Sequence, residues 1–236
     1  KSHHPWRVEM PLKLENLKNI LNIPVIEQHL QGMTQLILIP HRDLHRFPLH
    51  ILFSPQFRTT YLPSAHLGIS LQNIERPENG RNSLLSIEVP NSHGEKELSF
   101  AAFESEAISQ LFHHSRRIQE DEATKEQVET ALFSDSTIFH FTGHGSYNVH
   151  SPKHSALALT GTDKLTLEDI CLRSFSRYKL VSLAACETAI TGNQTITTEY
   201  VGLVSGFLSQ GVAQVVSTLW VVESAASALV MIEFYR

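Results

Sequence analysis

Cysteine is scarce in this sequence, and long apolar segments and clustered charges are missing from it. Only Cys171 and Cys186 occur among 236 residues, which excludes a disulfide framework and predicts a reducing, cytoplasmic location. No apolar run reaches the roughly 18 residues of a membrane-spanning helix, and no signal-peptide core follows the first residues. The 19 basic residues form no long run and the formal net charge is −5. We therefore expect neither nucleic acid nor a membrane as a direct partner.

Recognisable metal and serine-hydrolase patterns are also missing. No HExxH, CxxC or GxSxG pattern occurs, and no second Cys or His stands at ligand spacing from Cys186. His41, His45 and His50 lie in a turn-rich stretch, but their spacing fits no recognised metal site. The sequence therefore predicts no metal centre and no serine nucleophile.

Apolar β-type runs alternate with helical patterns along most of the chain. The predicted strands are 35–39, 84–89, 137–143, 156–159, 180–185 and 213–219; the predicted helices are 100–112, 124–134, 167–172, 199–210 and one that begins near Ser224. This alternation predicts a parallel or mixed sheet with helices on both faces.

Residues 1–34 are predicted to be a helical lead-in from a preceding region. Residues 11–31 have a helical pattern, with Leu14, Leu17, Ile20 and Leu21 on one face and Pro24 as an interruption. The sequence starts without Met and stops at Arg236 inside an apolar helical pattern. We expect it to be a piece of a longer protein.

Two of the apolar runs end in a reactive side chain. Residues 137–143 lead to His144, and residues 180–185 lead to Cys186. In an open α/β sheet, ligands bind at the carboxyl ends of the strands. If these strands are parallel neighbours, a thiol and an imidazole meet there, which is the arrangement of a cysteine protease.

The chemistry of such a pair is specific. A free thiol with a pKa of roughly 8.5 is only a few per cent thiolate at neutral pH. A nearby imidazole increases that fraction or protonates the leaving amine. Gly145 follows His144, and its N–H is a candidate donor to a developing oxyanion, with the N–H of Cys186 as the second.

Structural explanations exist for the same residues. Cys186 also fits a buried small apolar residue, which is the commoner role of a free cysteine, and His144 also fits a glycine turn or a metal ligand. Cys171 is predicted to lie in the core. His140, between Phe139 and Phe141, is predicted to be a hydrogen-bonded residue of the sheet rather than a second base.

Four segments together resemble the CHAT family of caspase-like cysteine peptidases, from about residue 35 to the end. They are Pro40–His50, the His-Gly segment Phe139–Gly145, the cysteine segment Leu183–Thr188, and Gly202–Trp220. On this resemblance, residues 35–236 form a CHAT domain whose last helices are missing.

The resemblance implies a caspase-like three-layer α/β/α sandwich with a mainly parallel sheet. It implies a cysteine endopeptidase, a thiol protease with His144 and Cys186 as the catalytic dyad and Gly145 in the oxyanion hole. It implies no metal, no cofactor, and a protein or peptide substrate. It also implies an effector domain that follows a TPR-type or other sensor region.

In the related peptidases the substrate lies extended beside the strand after the cysteine-motif helix. The matching residues here are Ser217, Thr218, Leu219 and Trp220, and an extended peptide gains main-chain hydrogen bonds at such an edge. Trp220 fits a buried core residue equally well. The alternative function is a catalytically silent interaction or scaffold module with the same fold; a metal-binding regulator is a third interpretation.

Overall fold

The computed structural model of the chain describes residues 5–41, 44–45, 47–74, 81–92, 97–146, 148, 150–185, 197–219 and 222–236. The chain divides into two compact units, Lys1–Ala65 and His66–Arg236. The division at residue 34, which the sequence patterns indicate, stays a prediction. In the described ranges, no helix combines the length and apolarity needed to span a membrane.

The first unit contains two helices and two short strands. These are α1 (Pro5–Ile20), α2 (Ile23–Gln28), β1 (Gln35–Leu38) and β2 (Arg58–Tyr61), with a 3-10 turn at Leu49–Leu52. The two strands pair in parallel, with Gln35 opposite Arg58 and Leu38 opposite Tyr61. The apolar core of this unit is centred on Ile23, Leu49 and Leu52.

The first helix ends before Pro24, and proline is not the reason. Asn22 adopts a left-handed conformation with φ 51°, which stops the helix. Pro24 then lies in the first turn of α2, where its missing N–H removes no helical hydrogen bond. Leu14, Leu17 and Leu21 pack against the core as predicted, whereas Ile20 is 78% exposed.

The second unit holds most of the predicted α/β elements. The helices are α3 (Ala65–Gln72, beginning at the last residue of the first unit), α4 (Ala101–Ser109), α5 (Lys125–Leu132), α6 (Leu167–Cys171), α7 (Thr197–Ser209) and α8 (Ser224–Tyr235). The strands are β3 (Ser83–Glu88), β4 (His114–Ile118), β5 (Ile138–Gly143), β6 (Gly145–Ser146), β7 (Ala156–Ala158), β8 (Lys164–Thr166), β9 (Leu180–Ala185) and β10 (Val215–Ser217).

A five-stranded parallel sheet organises this unit. Its order is β10-β9-β5-β3-β4, and every neighbouring pair is parallel. The central strands are buried almost throughout, which is why they read as continuous apolar runs. A separate antiparallel sheet has the order β6-β7-β8.

Helices cover both faces of the parallel sheet. Phe139 and Phe141 of β5 face a large core that also contains residues of α5, α6 and α7. Ile138 of β5 and Ala184 of β9 face a second core with residues of α4 and α8. Successive strand residues point to opposite faces, so this pattern confirms the predicted three layers and the mainly parallel sheet.

Local capping fixes two of these helices. The Thr124 hydroxyl accepts a hydrogen bond from the Gln127 N–H at 3.3 Å, which caps the amino end of α5. Thr166 and Asp169 form a reciprocal capping box at the start of α6. The Asp169 carboxylate also accepts from the Lys125 ammonium at 2.8 and 2.9 Å, which joins α6 to α5.

Candidate active site

The strands β5 and β9 end side by side. They are parallel neighbours, and their last residues, Gly143 and Ala185, are register partners. His144 is the next residue after Gly143, and Cys186 is the next after Ala185. The structure therefore confirms that the two predicted strands are parallel neighbours. Cys186 itself lies outside the described residues.

His144 sits in a buried position at the end of β5. His144 is 2% exposed, and its backbone carbonyl accepts a hydrogen bond from the Ala158 N–H at 2.8 Å. A cavity of about 230 Å³ lies beside it. The lining includes Gly145, Ser146 and Ser92, and the buried Ser92 hydroxyl has no hydrogen-bond partner among the residues that the structure describes. Space for a side chain or a peptide segment thus exists next to the histidine.

Gly143 is required for packing at the strand end. A Cβ placed on it would lie 2.6 Å from Cζ and 2.9 Å from Cε1 of Phe141. Phe141 is fully buried, so its ring cannot leave by turning into solvent. A glycine here lets β5 reach its end without a clash, and the next residue is His144.

Gly145 lies against the end of β9. A Cβ placed on it would meet the Ala185 Cβ at 3.8 Å, an ordinary contact distance. Gly145 pairs with Leu157 across β6 and β7, and the flanking bond runs from the Ala158 N–H to the His144 carbonyl. In an antiparallel ladder this pattern means that Gly145 and Leu157 form a non-hydrogen-bonded pair, in which the two residues do not bond to each other through their backbone groups. Its N–H therefore points away from β7.

The predicted substrate strand is an edge strand. Ser217 ends β10, which pairs with β9 only and stands at one end of the parallel sheet as far as the structure describes it. Ser217, Thr218 and Leu219 are all partly exposed. Trp220, the fourth predicted residue, lies outside the described residues.

The prediction for Cys171 was wrong. The residue lies at the end of α6 and is exposed, because the short helix turns this position outward. Its sulfur still packs towards α7, since a Cβ placed on Gly206 would be 3.9 Å from Sγ. This partial burial raises the pKa of the Cys171 thiol, and a raised pKa means a smaller thiolate fraction at neutral pH.

A buried polar row crosses the sheet on the α4 and α8 face. His140 is fully buried; its Nδ1 lies 3.3 Å from the Ser182 hydroxyl and its Nε2 lies 3.2 Å from a Glu104 carboxylate oxygen. The Tyr235 ring packs edge-on against the imidazole at 5.6 Å between centroids. His140 is thus a residue of the sheet interior, and Glu104 and Tyr235 are partners that the sequence analysis missed.

One feature of the sequence indicates this buried polar row. His140 and Ser182 interrupt apolar runs that are otherwise typical of doubly covered strands. Polar residues at such positions need buried partners. Nothing in the linear order indicates that Glu104, on a helix preceding both strands, supplies one.

In the described residues, no group of three or more His, Cys, Asp and Glu side chains is placed to hold a metal ion. His50, one of the three histidines in the turn-rich stretch, contacts Tyr61. The Tyr61 hydroxyl accepts a hydrogen bond from the His50 backbone N–H and lies 2.8 Å from the His50 Nδ1. Partial burial lowers the pKa of the His50 imidazole.

The sequence matches the family model of the CHAT domain over residues 12–236. The chain belongs to the CHAT domain family. Among solved structures it is similar to the Arg specific cysteine proteinase gingipain R, with 13% identity and a TM-score of 0.50 over 76% of this chain and 43% of that one. A weaker similarity, to pro-sf-caspase-1, has 11% identity and a TM-score of 0.35 over 52% of this chain and 56% of that one.

The gingipain similarity agrees with the caspase-like fold and the mainly parallel sheet seen here, and the chain spans less than half of the gingipain chain. No curated protein matches the sequence.

Proposed function

We propose that this CHAT domain is a cysteine endopeptidase in which Cys186 is the nucleophile and His144 the general acid and base. The observation that carries the proposal is the register of β5 and β9, which pairs Gly143 with Ala185. Neighbouring strands are about 4.8 Å apart, so the two chain positions that follow start from adjacent points. Cys186 and His144 are those positions.

The proposed reaction is acyl transfer. The Cys186 thiolate adds to the carbonyl carbon of the scissile peptide, and the carbonyl oxygen becomes an oxyanion. Collapse of this intermediate breaks the C–N bond, and the leaving amine takes its proton from the His144 imidazolium. Water, deprotonated by His144, then hydrolyses the thioester, which regenerates the thiol and releases a carboxylate.

Gly145 supplies an amide for the oxyanion in this proposal. Its N–H points away from β7, and a Cβ placed on it would lie 3.8 Å from the Cβ of Ala185, the residue bonded to Cys186. An N–H held by a strand is a preorganised donor, and one such donor contributes about 10²- to 10³-fold in rate. The partly exposed edge of Ser217, Thr218 and Leu219 supports an extended substrate that also reaches Trp220.

The decisive experiment uses three single variants of the chain. Cys186→Ala and His144→Ala should each lower cleavage of a peptide library, read by mass spectrometry, by roughly 10³-fold or more. Cys171→Ala is the matched control, because that thiol is exposed and has a raised pKa. Circular dichroism verifies that all three variants are folded.

Two results would contradict the proposal. Equal cleavage by wild type and Cys186→Ala would exclude that thiol as the nucleophile. Absence of any cleavage by the wild-type domain, also within the longer protein and with its activating signal present, would favour an interaction module that keeps the fold.

We propose further that the domain acts as the cytoplasmic effector part of a larger sensor protein with TPR-type or other sensing repeats, in line with the family resemblance.

A further inference from the structure

Three neighbouring strands of the parallel sheet each carry one buried polar residue at the same level. Ser86 of β3, His140 of β5 and Ser182 of β9 are register partners, and all three are fully buried. The same strands are otherwise rich in apolar residues. Polar groups at a buried level of a sheet need partners inside the protein.

Two consecutive residues of α4 supply such partners. A Glu104 carboxylate oxygen lies 3.2 Å from Nε2 of His140, and the Ser105 hydroxyl lies 2.8 Å from the Ser86 hydroxyl. Nδ1 of His140 lies 3.3 Å from the Ser182 hydroxyl. Glu104, His140 and Ser182 therefore connect α4 with β5 and β9, whereas Ser86 and Ser105 connect α4 with β3.

The contact between Glu104 and His140 contributes little to stability. The two atoms are close, but neither has a hydrogen-bond partner of good direction among the residues that the structure describes. Removing a carboxylate and an imidazole from water costs free energy, which such a contact only partly offsets. Apolar residues of similar volume often replace a buried polar pair without loss of stability. The role of the contact is therefore better sought in the pairing of the strands.

Backbone hydrogen bonds alone do not fix the register of β5 against β9. The hydrogen bonds of a parallel pair are evenly spaced, and a shift by two residues keeps every side chain on its face of the sheet. Such a shift would place His140 opposite Leu180 or Ala184, whose side chains cannot form hydrogen bonds. Each buried polar group that loses its partner disfavours the shifted pairing by about ten- to a hundredfold.

The same register determines whether the proposed catalytic residues meet. His144 follows His140 by four residues, and Cys186 follows Ser182 by four residues. The pairing of His140 with Ser182 therefore also brings the ends of β5 and β9 together. A shift by two residues would move one end about 7 Å past the other, which is too far for proton transfer between the thiol and the imidazole.

We infer that Glu104, His140 and Ser182 are positioning residues for the catalytic pair. They set the register of β5 against β9 at a level about 13 Å from His144 and Cys186 along the strands. All three are buried, so none of them touches the substrate. This role presupposes the proposed peptidase function, and its test therefore includes a measurement that does not depend on cleavage.

The main variant combines His140→Leu with Glu104→Met, which removes the polar pair and nearly keeps its volume. Its midpoint of urea unfolding should equal or exceed that of wild type. Its kcat should fall about ten- to a hundredfold, because a misplacement of about 1 Å has effects of this size. Its KM should stay the same, since the edge of Ser217 and Thr218 is unaltered.

Two milder variants keep the test informative if the main variant does not fold. Ser182→Ala removes one hydroxyl and should lower kcat about threefold or more. Glu104→Gln keeps an oxygen acceptor beside Nε2 of His140 and should leave kcat within about twofold of the wild-type value, because the positioning depends on the contact and not on the charge.

The matched control combines Ser86→Ala with Ser105→Ala. It removes a buried polar pair from the same level of the sheet, but β3 carries neither His144 nor Cys186. Its kcat should equal that of wild type, whatever happens to its stability. Equal losses of kcat in the control and in the main variant, or an unchanged kcat in the main variant, would overturn the inference.

Nuclear magnetic resonance measures the register itself. Nuclear Overhauser contacts between the backbone protons of Gly143 and Ala185 should be the same in wild type and control, with one set of amide signals for β5 and β9. The main variant should show weaker contacts and a second set of signals. Unchanged contacts and a single set would overturn the inference even in an active peptidase. Altered contacts, together with a wild type that cleaves nothing, would contradict only the peptidase proposal and would support the role in setting the register.

Discussion

Gly143→Ala should destabilise the domain, although it adds a single methyl group. The new Cβ would stand 2.6 Å from Cζ of Phe141, which is closer than nonbonded carbon atoms approach each other in folded proteins. Phe141 is fully buried in the core that α5, α6 and α7 cover. Overpacking of this kind costs about 1–3 kcal/mol, while alanine offsets about 0.4–1 kcal/mol by restricting the unfolded chain. We expect a net loss of about 1–2 kcal/mol.

Gly145→Ala is the matched control two residues further on. Its Cβ would meet the Ala185 Cβ at 3.8 Å and the Ala156 carbonyl at 3.9 Å, both ordinary contacts. The same unfolded-state effect then makes this variant neutral or slightly more stable. The two variants should differ by about 1–3 kcal/mol, the cost of overpacking alone, which is a large part of the stability of an ordinary domain.

Urea unfolding followed by circular dichroism measures this difference. With a slope of about 1–3 kcal/mol per molar urea, the midpoints should differ by about 1 M. Phe141→Leu in the Gly143→Ala background should recover part of the loss, because the ring atoms that clash are then absent. Equal midpoints for the two alanine variants, or no coupling between positions 141 and 143 in the double-mutant cycle, would refute the reasoning.

Two further predictions concern α6. Asp169→Asn should lower stability by about 1 kcal/mol at neutral pH: burial alone would raise the pKa of Asp169, but its bonds to Lys125 and Thr166 outweigh this and lower it. A carboxylate whose pKa is lowered in the folded state stabilises the fold at pH values above its unfolded pKa of about 3.9, and this stabilisation is lost as the pH falls through the folded pKa. The free energies of unfolding of wild type and Asp169→Asn should therefore converge in acid. A difference between them that stays constant with pH would contradict this. Cys171 should react with iodoacetamide more slowly in the folded than in the urea-unfolded protein, since burial raises the pKa of its thiol; equal rates by mass spectrometry would argue against that.

Much of the fold follows from the sequence because burial leaves a pattern in it. Strands β3, β5 and β9 are covered on both faces and appear as apolar runs, and their ends fall within a residue or two of prediction. β4 was missed because an edge strand buries little: His114–Ile118 is exposed over its first three residues.

The linear order of residues determined which side chains stand at the two strand ends, His144 after β5 and Cys186 after β9. Only the tertiary structure decided that these strands are parallel neighbours in register, with Gly143 opposite Ala185. The pairing depends on hydrogen bonds between segments some forty positions apart, and no local preference encodes such a partner. The same is true of Glu104, which lies beside His140. This contact arises because α4 and α8 pack across the sheet, where each buries a face that the sequence shows only as a helical period.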